Sequence, residues 1–226
     1  MPRTTKKTIP AYIRDIHSWL YLNPNLYKFL NNAKVQNILT LGQHSRLINE
    51  LTKEISSKSK ILQIGVTLGN QIAETSYSLS THGEYTIMEI LPNMLEKCQE
   101  KHARHRINYI KADASKPFKE IGEYDTIICY MLLHELPPIT RQKVMNNILK
   151  ALPIGGKAVF VDYHLPSSLN PLKYIIRAFN RLYQPFAEAL WKTAIKEMTT
   201  NKEKYTWSKQ TYFGGVYQKV VATRES

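Results

Sequence analysis

Residues 60–71, Lys-Ile-Leu-Gln-Ile-Gly-Val-Thr-Leu-Gly-Asn-Gln, constrain the fold more than any other stretch of the chain. Ile61, Leu62 and Ile64 form a short apolar run, Gly65 and Gly69 follow, and a helical pattern begins at Ile72. A strand, a glycine turn and a helix start are how an α/β sheet brings backbone amides close to a ligand. The two glycines are four apart, which matches neither G-x-G-x-x-G nor a P-loop. Taken alone, the turn reads equally well as a ligand loop or an ordinary connection.

The same alternation repeats downstream. Residues 84–90, 107–112, 124–131 and 157–162 read as strands, separated by helical patterns at 91–101 and 138–152 and by the turn Pro153-Ile-Gly-Gly156. Strands alternating with helices predict a doubly wound, mostly parallel sheet. Residues 205–213 and 216–222 flank Gly214-Gly215, which predicts a terminal antiparallel hairpin and brings the sheet to seven strands. Upstream, residues 1–10 read as a basic leader. Helical spacing recurs over 11–20, 26–30 and 35–55, so residues 1–59 are expected to form a leader and helical cap on a domain spanning 60–226. Residues 171–198 carry an aromatic, basic amphipathic pattern split at Pro185. It reads as a helical lid over about 166–200, as a membrane-surface helix, or as an insertion packed on its own domain.

The formal net charge is +13. Residues 1–60 hold ten Lys/Arg against three acids, 166–226 hold ten against four, and 61–165 balance eleven against eleven. Basic ends on a neutral module point to an anionic partner or to simple solubilisation. No apolar run approaches the roughly 20 residues of a membrane span. Cys98 and Cys129 lack metal or redox spacing and read as buried thiols of a reducing compartment.

Ligands of parallel sheets bind beyond the carboxyl ends of the strands. There the sequence places Gly65 to Gln71, then Glu89, then Asp113-Ala-Ser115. The fourth strand adds Tyr130, Met131, His134 and Glu135, and the fifth adds Asp162, Tyr163 and His164. A lone acid after a strand is usually a helix cap. Polar groups ending five successive strands converge on one cleft.

These stretches resemble the Rossmann-like class of S-adenosylmethionine-dependent methyltransferases over about residues 60–165. The matching segments are Ile61 to Gly69, Glu89 to Met94, Lys111 to Ser115, Tyr124 to Ile128, Leu133 to Leu136 and Leu149 to Gly156. The resemblance implies S-adenosylmethionine as cofactor, with Gly65 and Gly69 by its methionine portion and Glu89 on the ribose. Asp113 and Ala114 would face the adenine and Tyr130 the sulfonium side. Gln63, Val66, Asn70, Gln71, Ile90, Met94 and Met131 complete the implied cofactor set.

Two positions depart from that pattern: Gln63 where the family usually has an acid, and Thr67 where it usually has a third glycine. A closer resemblance accounts for the altered loop. Leu62 to Gly69, Leu91-Pro92, Leu132 to Glu135, Val161 to His164, Asn170 to Tyr174 and Pro185 to Trp191 are similar to the rhodoquinone biosynthesis proteins, with Tyr21 to Pro24 extending the match upstream. This resemblance implies replacement of a ubiquinone methoxy group by an amine, with S-adenosylmethionine as nitrogen donor and manganese as metal. His134, Glu135, Asp162 and His164 would then bind the metal or serve as general acid and base, with Tyr163 orienting the quinone ring. Each histidine alone reads equally well as a structural residue. The expected partners are a lipid quinone and an anionic membrane surface rather than nucleic acid. The expected location is cytoplasmic, peripheral to the inner membrane. The alternatives are a conventional methyltransferase of a quinone or small aromatic, and a non-catalytic basic binding protein on the same fold.

Overall fold

The structure, a computed structural model, describes residues 24–118, 122–183 and 186–225. The helix expected over 11–20 and the split at Pro185 lie outside them. The sheet has seven strands: β1 (Lys60–Ile64), β2 (Glu84–Glu89), β3 (Asn108–Lys111), β4 (Thr126–Tyr130), β5 (Lys157–Tyr163), β6 (Tyr205–Tyr212) and β7 (Tyr217–Arg224). Their order is β3-β2-β1-β4-β5-β7-β6, parallel from β3 to β5 and antiparallel at the β7 and β6 edge.

The helices are α1 (Pro24–Leu30), α2 (Ala33–Leu39), α3 (His44–Thr52), α4 (Gln71–Tyr77), α5 (Pro92–Lys101), α6 (Pro138–Ala151), α7 (Leu172–Tyr183) and α8 (Ala187–Trp191). One expectation is corrected. The pattern read as one helix over 35–55 is two, because Leu41 and Gly42 both take positive φ, 54° and 79°, and break the ladder between α2 and α3. The 171–198 pattern comprises α7, the short α8 and a 3₁₀ turn at Ile195–Met198.

Strand parity sorts the core into two layers, because successive side chains point to opposite faces. Leu62, Ile127, Cys129 and Phe160 pack against Met145 and Ile148 of α6. Ile61, Ile128, Tyr130 and Val159 pack against Leu47 and Ile48 of α3, Ile72 of α4 and Ile176 of α7. The parallel strands are buried on both faces, so they read as unbroken apolar runs. Both cysteines are buried free thiols.

Candidate active site

A cavity of about 350 Å³ opens beyond the carboxyl ends of β1, β2, β4 and β5. Such a volume suits a small organic molecule. Its floor is Gly65, Val66, Glu89 and Ile90, one wall is Met94, Asp113 and Ala114, and the far wall is Tyr130, Met131, His134 and Tyr163. Leu26, Leu30, Gln36, Leu39, Thr40 and His44 of α1 to α3 close it from above. Among the described residues, none of 166–200 lines it. That segment packs against the sheet and α6, with Ile176, Leu190, Ile195 and Met198 in the two core layers.

Glu89 ends β2 with both carboxylate oxygens aimed at backbone donors. Val66 N–H donates to Oε2 at 2.9 Å and Leu91 N–H to Oε1 at 2.8 Å. Burial raises its pKa, and these backbone donors work against that rise. Beside it, Met94 and Leu91 pack on Tyr27 of α1, with Val66, Leu68 and Ile90 at the edge, making an apolar shelf. Asp113 Oδ1 accepts from Ser115 N–H at 2.9 Å in its own turn.

Gln63 sits differently from the sequence expectation. Strand parity turns it away from the cavity into the layer under the loop, where it is fully buried with Gln71. The two amides pair reciprocally at 3.1 and 3.0 Å, Tyr85 Oη donates to Gln63 at 2.5 Å, and Thr67 Oγ1 donates to Gln71 at 2.6 Å. The two departures, Gln63 and Thr67, thus form one neutral network that braces the glycine loop. A carboxylate at position 63 would be a buried charge with no cation in that network. Gly69 and Asn70 also stand outside the cavity lining. Gly69 N–H donates to Asn31 Oδ1 at 3.0 Å, Lys101 Nζ donates to Gly69 O, and His44 Nε2 meets Asn70 Oδ1 at 2.8 Å. This seam ties the cap to the loop. Asn31, His44 and Lys101 carry no motif that would have marked them in the sequence.

On the opposite wall, His134 rides on the 3₁₀ turn Leu133–Glu135. Arg141, buried in α6, fixes that turn by donating to the carbonyls of Leu133 and Leu136 at 2.7 and 2.9 Å. His134 Nδ1 lies 2.7 Å from Asp162 Oδ1, with the aspartate fully buried. An ionised carboxylate only accepts, so it places the proton on Nδ1 and leaves Nε2 as the basic nitrogen. Burial lowers the imidazole pKa, but the charge and hydrogen bond of Asp162 outweigh it and the net shift is upward. The Tyr163 ring packs edge-on to His134 at 4.7 Å. The Tyr130 hydroxyl is buried with no hydrogen-bond partner, although the side chain lines the cavity. Met131 holds φ at 49°, an uncommon value for a side chain of its size.

The four residues read as a metal set do not come together. Asp162 is spent on His134 and on Tyr163 N–H, and His164 turns to Gly215 O at 2.9 Å and Lys209 Nζ at 2.8 Å. Among the described residues no three His, Cys, Asp or Glu side chains are placed to hold a cation. The donor set does not fit manganese.

Residues 61–156 match the family described as "Methyltransferase domain". The demethylmenaquinone methyltransferase of Staphylococcus haemolyticus is 25% identical over 185 residues, covering 80% of this chain and 72% of that protein. An O-methyltransferase family protein from Burkholderia thailandensis superposes with a TM-score of 0.66 at 10% identity, covering 93% of this chain and 63% of that one. Human N-acetylserotonin methyltransferase, solved in complex with S-adenosylmethionine, superposes with a TM-score of 0.62 at 13% identity, covering 96% and 61%. The fold is that of the class I S-adenosylmethionine-dependent methyltransferases. This chain spans less than two thirds of the length of either solved structure. Together the comparisons show the fold of that class, and the cavity presents a carboxylate at the end of β2, an apolar shelf at Met94 and backbone at Gly65.

Proposed function

We propose that this protein transfers a group from S-adenosylmethionine to a quinone ring, and that the group is an amine replacing a methoxy substituent of ubiquinone. The neutral Gln63–Gln71–Tyr85–Thr67 network behind the glycine loop carries this reading. A carboxylate there would act through the loop, without contact, and favour the ammonium form of the cofactor's amine, which has no lone pair to attack with. The neutral amides add no such charge. The resemblance to the rhodoquinone biosynthesis proteins supports the same reaction.

The chain's own residues have these roles. Glu89 accepts the ribose hydroxyls, and Met94 and Ile90 hold the adenine by dispersion. Tyr130, with its unpartnered hydroxyl, donates to a ring carbonyl oxygen of the quinone. His134 Nε2 accepts a proton, and Asp162 holds the resulting imidazolium. The apolar walls and the cap helices exclude water. S-adenosylmethionine would supply the nitrogen: the ring C–O bond breaks and methanol leaves with the proton held at His134 Nε2, and the donor's Cα–N bond would be released by hydrolysis once the quinone ring has taken up the electron pair from Cα.

A second reading, ring methylation of a quinone, is favoured by the demethylmenaquinone methyltransferase relative. One experiment separates the two. The purified protein is incubated with ubiquinone and with demethylmenaquinone, with S-adenosylmethionine labelled in either its methyl or its amino group, with and without manganese. Amino label in a rhodoquinone product supports the first reading, and methyl label in the quinone supports the second. Neither label in any quinone would sink both.

A further inference from the structure

The first two helices of the cap show an outer face that the site does not use. Large apolar side chains on a protein surface normally occur singly, and a cluster of them marks an interaction surface. Phe29 is 61% exposed, Ile38 73%, Leu39 46% and Leu41 42%. All four come from thirteen consecutive residues. Between α1 and α2 lies an open groove lined by Lys28, Phe29, Lys34 and Val35. Ile38 follows Lys34 by one helical turn, so the basic groove and the apolar ridge share a side of α2.

Charge identifies the partner. Residues 24–49 contain no Asp or Glu. Neither Lys28 nor Lys34 is ion-paired to an acid among the described residues. An acid-free surface combining lysines with protruding Phe and Ile is complementary to an anionic bilayer, where phosphates meet the amines and acyl chains receive the apolar side chains. The inner sides of the same helices roof the cavity through Leu26, Leu30, Gln36 and Leu39. Leu39 belongs to both surfaces.

We propose that the outer face of α1 and α2 seats the protein on an anionic membrane, with lipid phosphates at Lys28 and Lys34 and Phe29 and Ile38 dipping into the interface. This rests on the quinone reading, because it places the cavity roof against the phase in which a polyprenyl quinone dissolves. The contact is peripheral: among the described residues no helix is long and apolar enough to cross a membrane.

Co-sedimentation of the full chain with vesicles tests the proposal without quinone or cofactor. The vesicles are phosphatidylcholine alone, or phosphatidylcholine mixed with phosphatidylglycerol. Binding is expected to the anionic vesicles and to fall with salt. Each lysine near an anionic leaflet is worth roughly a fivefold change, so the K28Q/K34Q double variant should bind roughly 25-fold more weakly. Ile38→Ser should also weaken binding, whereas Lys150→Gln, on α6, should not. These side chains are exposed, so circular dichroism and Tm should match the parent.

Three results would overturn the proposal. The first is equal partitioning of parent and K28Q/K34Q. The second is no vesicle binding but lysine-dependent binding of glycerol phosphate, which assigns the groove to a free phosphate. The third is a concentration-dependent dimer in vesicle-free buffer that Ile38→Ser dissolves, which assigns the face to a second copy. Turnover of a short-chain, water-soluble quinone is expected to survive in all of these variants. Vesicle binding without turnover of any quinone would remove the quinone reading but keep the surface. Turnover without vesicle binding would do the reverse.

Discussion

Replacing Glu89 with Gln isolates the carboxylate that ends β2. In the native site Oε1 and Oε2 each face a backbone N–H, from Leu91 and Val66. The variant keeps one acceptor oxygen and sets an NH₂ donor against one of those two N–H groups. It also removes the charge that would accept the cofactor's ribose hydroxyls. A hydrogen bond to a charged group contributes about 1.5–3 kcal/mol, and the remaining amide oxygen of the variant still accepts, so the loss falls at the lower end. An effect near about 1.5–2 kcal/mol corresponds to cofactor binding weakened roughly 10- to 30-fold. Folding stability should change much less, because removing a carboxylate whose ionised form is disfavoured by burial offsets the lost backbone contact.

Calorimetric titration with S-adenosylmethionine beside thermal unfolding reads both quantities. Unchanged affinity, or a large fall in Tm with affinity intact, would refute the assignment and make Glu89 a loop brace. The pH dependence gives a further check. Burial raises the Glu89 pKa above the ordinary 4.5. A raised carboxyl contributes stability below 4.5 that is lost as pH rises through the folded pKa. Cofactor binding needs the carboxylate, so it runs the other way: affinity should fall as pH drops through that raised value. The Glu89→Gln variant should show no such decline.

Other substitutions test the opposite wall and the seam. Asp162→Asn removes the buried partner of His134 and should cost on the order of 3 kcal/mol in chemical denaturation and abolish turnover. Because the His134 pKa is raised, its contribution to stability is complete below 6.5 and is lost as pH rises through the folded value; the Asn variant should lose that slope in a Tm-against-pH series. Tyr130→Phe deletes a buried hydroxyl without a partner, so Tm should hold or rise by the equivalent of about 1 kcal/mol while turnover drops. A parallel loss of Tm would contradict that. In Gly69→Ala the new Cβ would meet His44 Nε2 at 2.7 Å, at a φ of +86°. A penalty of about 1–3 kcal/mol is expected for the backbone alone, and adding His44→Ala should relieve the steric part only, which a double-mutant cycle will separate.

Local pattern was enough for the strands, the crossover helices and the hairpin. Each rests on a periodicity or a turn residue that neighbours in the chain can set: Ile61 to Ile64 is a buried strand whatever it pairs with, and Gly214-Gly215 turns whatever lies beside it. The cleft at the strand ends followed from topology, and the structure places Gly65, Val66, Glu89, Ile90, Met94, Asp113, Ala114, Tyr130 and Met131 around it. Where apolar periodicity ran on across a glycine, the pattern outweighed the breaker and misplaced a boundary. Leu41 and Gly42 looked like interior positions of one long helix.

Partnerships between distant residues were decided by tertiary structure alone. Parity sent Gln63 under the loop to Gln71 and Tyr85, not into the cavity. The packing of β4 beside β5 gave Asp162 to His134 across 28 residues, and the β7 hairpin drew His164 away to Gly215. Asn31, His44 and Lys101 meet at Gly69 and Asn70 only because the cap folds back over β1. A sequence specifies which side chains can bond and with what chemistry. Which of them come within 3 Å is fixed by sheet order and helix packing, and those depend on the whole chain at once.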